Sequence, residues 1–389
     1  MPDAATVARR LSTAYFTYYA TIGLEYVYLP FFFTNVGLSP GDLGVLYAGR
    51  VATSIVFQPL TTRLADRTGK PYLTLKLAMV LGLVSASGLY FAQGLASAAV
   101  FMWTQAAFRS VAIPILDATT LHEHGAERYG RIRLWGSIGY GVAALGLASV
   151  VGAMAYDQAG ATALPAYLAA NAIMVLAMFW LPRGMSMEHP PAAGTVATSR
   201  LPAGVIALMV IGAIHWASVE AYNVFFSSHV RWRGFAPNVP GLGVAAAIAG
   251  ETITLYFFGA FLKRAPAATW IIVSLSLSVF RWLGTAYATT PALLIAVQAG
   301  HAFSFALWWV AQLAVFRLNA PPGRRAAMQG LYTAATLGIG GALGTSLSGR
   351  VFDSHGGQWM FTVAAVLEVV AVLIAVATRR WWWKVPERA

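Results

Sequence analysis

The 389-residue chain is 58% apolar and only 10% charged, against about 45–50% and 25% in soluble proteins, which excludes a soluble domain and marks an integral membrane protein. Its formal charge of +12 does not point to nucleic acid, because the basic residues sit in short clusters between apolar stretches rather than on one face. With no cysteine there is no disulfide framework, thiolate metal site or thiol nucleophile.

Twelve apolar segments, each near the roughly 20 residues that cross a bilayer as a helix, run at 11–34, 41–63, 72–93, 97–121, 131–154, 163–182, 203–228, 241–262, 269–287, 291–318, 326–349 and 358–380. The first follows Arg9 and Arg10; it is too long for a signal-peptide core and has no evident cleavage site, so it is a span. It is rich in aromatic residues, among them Tyr15, Tyr18, Tyr19 and Phe31, and it carries Glu25. Turn and helix-start signals such as Gly37 to Pro40, Lys70-Pro71, Thr290-Pro291 and Pro321 to Gly323 fall between spans.

Between the second and third segments lies Arg63-Leu-Ala-Asp66-Arg67-Thr-Gly69-Lys70. Gly69 permits a tight turn there. Asp66 among cations can make charge-assisted bonds that hold one conformation of the loop; the plainer alternative is a solvated charged turn. The fourth segment ends on Pro114, Asp117 and Ala118, and the fifth opens on Tyr129, Gly130, Arg131 and Arg133, so a carboxylate and a guanidinium meet where two spans join. His122 and His124 are two apart with no obvious third ligand, so no metal site is expected, and nothing calls for a cofactor.

The longest polar connection, 183–202, contains Pro190-Pro191 and small residues and reads as a flexible cytoplasmic linker. It divides the chain into an N-terminal six-helix bundle, 1–182, and a C-terminal six-helix bundle, 203–389. Arg131 before Gly136 and Arg325 before Gly330, each five residues apart, echo one another at the fifth and eleventh segments. Parallel duplication of this kind places a solute site between halves near the midplane. With the N terminus in the cytoplasm, twenty of the 26 Lys and Arg residues fall on that side, which sets both termini inside. Trp381-Trp-Trp383 beside Lys384 reads as an interfacial anchor.

Ionisable groups inside a bilayer are costly and mark substrate or ion pathways by default. The spans contain Glu25, Arg50, Arg109, Asp117, His215, Glu220, Glu251, Arg281 and His301, with Arg133 near a span end. The alternative is a set of mutually satisfied pairs. Arg50 or Arg109 could read an anionic solute, or merely be neutralised internally. His215 alone is expected to pack or hydrogen-bond rather than touch ligand.

The Pro114, Asp117, Ala118 and Tyr129, Gly130, Arg131, Arg133 elements resemble the phenylpropionate and oligosaccharide:proton symporter branch of the major facilitator superfamily. The 63–71 loop is similar to that superfamily's signature loop, with Thr62 at the leading glycine position. His215, Gly250-Glu251, Phe280-Arg281-Trp282 and Gln298 to His301 fall where the branch carries comparable groups. The resemblance implies an all-α membrane protein with twelve transmembrane helices in two six-helix bundles, the major facilitator fold. It implies solute binding by Asp117, Arg133, Glu251, Arg281 and His301, and gating by Asp66, Arg67, Gly69 and Lys70. Oligosaccharide members carry a proton on an acid one turn past the histidine, where this chain has Ser304. The coupling candidates are therefore Glu251, Glu25, Glu220 and His301.

The expectation is a monomeric inner-membrane transporter, not an enzyme, with a small-molecule solute, protons and the lipid bilayer as partners. Proton-coupled symport of a small polar or anionic solute, such as an aromatic acid, sugar or nucleoside, is the leading reading. The alternatives are an exporter of amphipathic compounds and a membrane-embedded enzyme.

Overall fold

The computed structural model describes residues 3–181, 201–262, 264–320 and 325–383. These residues are helical almost throughout, with no strand among them, as a bilayer requires when each backbone group must find its partner within the segment. Residues 183–200 of the expected linker, together with Pro321 to Gly323 and Lys384, lie outside the described residues.

In order the helices are α1 Ala4–Val27, α2 Leu29–Asn35, α3 Pro40–Thr68, α4 Pro71–Ser87, α5 Leu95–Arg109, α6 Ala112–Val151, α7 Tyr156–Trp180, α8 Ala203–Trp232, α9 Val239–Leu262, α10 Ala267–Tyr287, α11 Pro291–Gln298, α12 Trp308–Asn319, α13 Arg325–Thr333 and α14 Gly341–Trp382. Start signals are placed as sequence chemistry demands. Asp3 caps α1 by accepting from the Thr6 amide at 2.7 Å, and its bonds with Thr6 hold its carboxyl below the usual range. Ser39 and Asp42 form a reciprocal capping box on α3. Two π-helical turns, Ala302–Leu307 and Ala334–Gly340, interrupt the tenth and eleventh passes.

Nine helical stretches among the described residues are long and apolar enough to cross a membrane. One of them, Met328–Trp382, is 55 residues long, more than twice the roughly 20 a crossing needs. It turns at Gly356, whose φ of 83° suits glycine alone at little cost, and so makes two passes. Gly125, with φ 67°, divides α6 in the same way. The first pass, α1 with α2, and the eighth, α9, complete twelve. The first pass is less apolar because α1 carries threonines, tyrosines and Glu25, which turn inward.

The chain forms two compact units, Met1–Pro190 with Ala236–Gly241 and Pro191–Phe235 with Leu242–Ala389. In the first, α1 packs along α6, and Leu11, Tyr15, Leu75, Met79, Leu116 and Met178 fill the core. In the second, α8 packs along α14 around Leu208, Ile271, Leu275, Trp308 and Phe316. Apolar side chains such as Val56, Leu77, Val142, Leu176, Leu343 and Leu373 remain exposed on the outside. Lipid is as apolar as these groups, so close packing and buried polar contacts, rather than burial itself, hold the helices together.

The Trp381 to Trp383 run corrects the sequence expectation of a simple interfacial anchor. Trp381 is exposed, but Trp382 is fully buried in the second unit's core. Its indole N–H donates to Thr378 Oγ1 at 3.1 Å and its carbonyl accepts from Asn319 Nδ2 at 2.8 Å. A helix turns successive residues by about 100°, so three adjacent tryptophans cannot share one face.

Candidate functional site

The first unit holds a half-open cavity of about 390 Å³, lined by Tyr18, Glu25, Arg50, Gln58, Gln105, Arg109 and Asp117 among others. That volume is within the roughly 300–1,000 Å³ of small-molecule sites. Its walls come from α1, α3, α5 and α6.

Asp117 lines this cavity and pairs with Arg133, the two coming from the two parts of α6. Arg133 Nε lies 3.9 Å from Asp117 Oδ1, and both side chains are partly exposed, at 29% and 31%. Helix α1 supplies the groups that hold them. Tyr15 donates to Asp117 Oδ1 at 2.6 Å, and Arg133 donates to the Tyr19 hydroxyl. The Arg133 guanidinium lies over the Tyr19 ring at 4.3 Å and the Tyr15 ring at 5.3 Å. The i, i+4 spacing of Tyr15 and Tyr19 puts both on one face of α1. An acid and a base brought together on tyrosines, yet open to solvent, can exchange each other for the hydroxyls or charge of a ligand.

On the same cavity wall, Glu25 is only 2% exposed and pairs with two arginines, Arg50 Nε and Arg109 Nη1, the latter at 3.1 Å. Arg109 also donates to Thr21 Oγ1 at 2.6 Å and to the Tyr167 hydroxyl at 3.2 Å. Arg50 donates to the Tyr26 hydroxyl at 3.1 Å. Tyr167 in turn lies 2.9 Å from Gln105 Oε1. Internal pairing is thus real for these residues, but two guanidiniums share one carboxylate.

In the second unit, Arg281 and His301 are brought to one region, and Glu251 reaches it through His301. Arg281 donates to Ser304 Oγ and Gln298 Oε1, each at 3.0 Å, and stands 4.3 Å from the Tyr222 ring and 4.4 Å from that of Trp282. Among the described residues no carboxylate lies within 4.0 Å of it. The family resemblance groups Glu251 with Arg281 and His301 as solute-binding residues. The shown ion pair is with His301, whose Nε2 is 3.7 Å from Glu251 Oε2. The π-helical turn beginning at Ala302 positions Ser304 for Arg281; such turns recur at functional sites. Glu220 lies apart from this group, accepting from Asn223 Nδ2 at 3.2 Å and facing Thr345 Oγ1 at 3.4 Å.

His215 is fully buried against Glu368, with Nδ1 2.8 Å from Oε1. Ser218 donates to the same oxygen, and Trp282 Nε1 lies 3.4 Å away. His215 therefore has a partner, as expected of an isolated intramembrane histidine. Glu368 is the group that sequence reasoning missed. It sits alone in the last apolar segment, and the rule that singled out the other intramembrane acids applies to it equally. Thr21 and Tyr167 were also missed, since neutral polar residues in a span carry no comparable signal, and Tyr15 and Tyr19 were noted only as aromatic residues of the first span.

The expected gate is placed differently. Asp66 and Arg67 close the last turn of α3 rather than standing in a loop, and Gly69, with φ 61°, ends the helix by donating to the Asp66 carbonyl at 3.2 Å. Asp66, Arg67 and Lys70 are exposed, and among the described residues none makes an ion pair. No group of three or more potential ligands for a metal ion occurs among the described residues.

Comparison with known proteins agrees with this architecture. The chain is similar to the probable 3-phenylpropionic acid transporter of Escherichia coli (strain K12), 24% identical over 379 residues covering 92% of this chain and 95% of that protein. It is similar to the maltose permease of Geobacillus stearothermophilus, 26% identical over 380 residues covering 94% and 92%. Its fold matches the crystal structure of the nucleoside transporter NupG with a TM-score of 0.79 at 17% identity, over 96% of this chain and 99% of that one. The MFS_1 like family matches residues 8–363, and the chain belongs to that family: it is a multi-pass membrane transporter of the major facilitator type, carrying a small-molecule solute, and not an enzyme.

Proposed function

We propose that this transporter is a proton-coupled symporter for a small polar or anionic organic solute, working by alternating access as a monomer in the inner membrane with both termini cytoplasmic. The observation that carries the reading is the cavity of about 390 Å³ whose wall presents Glu25, Arg50, Arg109 and Asp117 inside the membrane-spanning region. Charges are kept at such depth when they bind, pair or carry a proton. The similar proteins are named for 3-phenylpropionic acid, maltose and nucleosides, all small organic compounds with polar groups.

In this reading Asp117, Arg133, Glu251, Arg281 and His301 are the solute-binding residues. Glu251 carries the proton, exchanging it with His301; Glu25 and Glu220 are the acids to examine next. Asp66, Arg67, Gly69 and Lys70 act at the cytoplasmic gate, pairing in a conformation other than this one. The test is uptake by proteoliposomes of 3-phenylpropionate, maltose and uridine with and without an imposed pH gradient. Accumulation above equilibrium that a protonophore abolishes supports symport. Movement only to equilibrium, indifferent to the gradient, overturns proton coupling.

A further inference from the structure

The charged side chains on the first unit's cavity wall, Glu25, Asp117, Arg50 and Arg109, balance two against two, but Arg133 adds a further cation from beyond that wall. Asp117 is answered by Arg133, whereas Glu25 faces both Arg50 and Arg109. One guanidinium charge is left over in a region where Arg109 is 5% exposed and Glu25 2%, and an uncompensated buried charge is strongly unfavourable. Arg109 is also short of partners: its Nε is buried with no hydrogen bond among the described residues. Thr21 and Tyr167 fix its other nitrogens, and the Tyr18 ring lies 4.9 Å from it. The donors are therefore held in place rather than free to turn away.

We infer that Arg50 and Arg109 form an anion subsite on the cavity wall that takes the carboxylate of a monoanionic organic solute, with Glu25 as the internal anion competing for the same donors. This deepens the transport reading and rests on it: it names the charge of the solute and a contact separate from the Asp117 and Arg133 pair. A single carboxylate brings the cluster of Glu25, Asp117, Arg50, Arg109 and Arg133 to neutrality, and a guanidinium pair offers it forked hydrogen bonds that an alcohol or amide matches poorly. Met102, Ala106 and Ile113 supply apolar surface beside the charges, which suits an amphipathic acid.

The subsite and a purely structural ion cluster differ in sign. If the cluster only holds helices together, removing any member weakens folding and binding alike. If it is a subsite, Arg50→Gln removes a ligand donor, whereas Glu25→Gln removes a competitor and strengthens acid binding. Arg50 is the better probe of the two arginines because, at 17% side-chain exposure, it is less embedded than Arg109.

The experiment is titration calorimetry on the purified full-length chain with 3-phenylpropionate and its uncharged counterpart 3-phenylpropionamide, with maltose and uridine as further neutral probes. The wild-type chain should prefer acid to amide by at least about tenfold, as expected for a charge-assisted contact. Arg50→Gln should remove most of that preference, and Glu25→Gln should enlarge it. The subsite is overturned if the acid does not bind, if acid and amide bind equally, or if the preference is unchanged in both variants. Should Glu25→Gln fail to fold, the Arg50→Gln preference still decides. Gradient-driven accumulation of maltose without acid binding sinks the subsite and leaves symport standing; acid binding without gradient-driven accumulation does the reverse.

Discussion

Single residues divide here into those that can let go and those that cannot. Asp117 and Arg133 are partly exposed and 3.9 Å apart, a loose pair that a ligand can enter. Asp117→Asn or Arg133→Gln should therefore weaken solute binding about tenfold or more while leaving insertion intact, as calorimetry and detergent-solubilised yield would report. Equal affinity in folded variants would remove them from the binding site. His215 and Glu368 are the opposite case, both fully buried at 2.8 Å. Replacing one, as in Glu368→Leu or His215→Leu, should cost about 3–5 kcal/mol because it strands the other, whereas the double change should recover most of the loss. A thermal-denaturation cycle in which the double variant is as unstable as the sum of the singles would refute this. Asp117 and Arg133 were legible in sequence because an acid and a base flank the same short connection; the tyrosines that hold them were not, since nothing in α1 says which of its tyrosines face α6.

At the scale of helices, the contacts that hold each unit are made where small residues let backbones meet. A side chain on Gly139 of α6 would collide with the Phe16 carbonyl of α1, and one on Gly344 of α14 with the backbone of Ala217 in α8. Gly146, also on α6, has open space around it. Gly139→Val should thus sharply reduce the yield of folded protein and Gly146→Ala should not, as gel filtration of the two would show; equal monodisperse yields would mean α1 and α6 can separate without penalty. Glycine is frequent in the spans, and small residues of this kind let membrane helices approach closely. Which glycine meets which backbone depends on how each helix is rotated about its axis, a quantity composition does not contain.

For the molecule as a whole, direction and coupling are the functional questions. Glu251 lies beside His301, 14% exposed, and is proposed to load and release the coupling proton. Glu251→Gln should then retain exchange of solute across the membrane but lose uphill accumulation under a pH gradient, with binding measured separately. Undiminished accumulation at the same proton-to-solute ratio would move the search to Glu25 and then Glu220. The topology proposal is tested by reporters fused after Arg200 and at the C terminus, which should both be cytoplasmic; an external C terminus would contradict the distribution of basic residues.

What the sequence alone determined is what is local or summed along the chain. Twelve runs of about 20 apolar residues, broken by Gly and Pro, make a multi-pass helical protein whatever the helices later touch, and the motifs around Asp117, Arg133 and Arg281 carried the family. What only the tertiary structure decided is the choice of partners. Glu25 and Arg109 are 84 positions apart, and His215 and Glu368 153; no periodicity within a helix can say that these faces meet. Arg281 settled on Ser304 and Gln298 instead of Glu251, partners on another helical segment that the sequence does not assign to it. Buried charges take their meaning from their neighbours, and neighbours on different helices are fixed by packing.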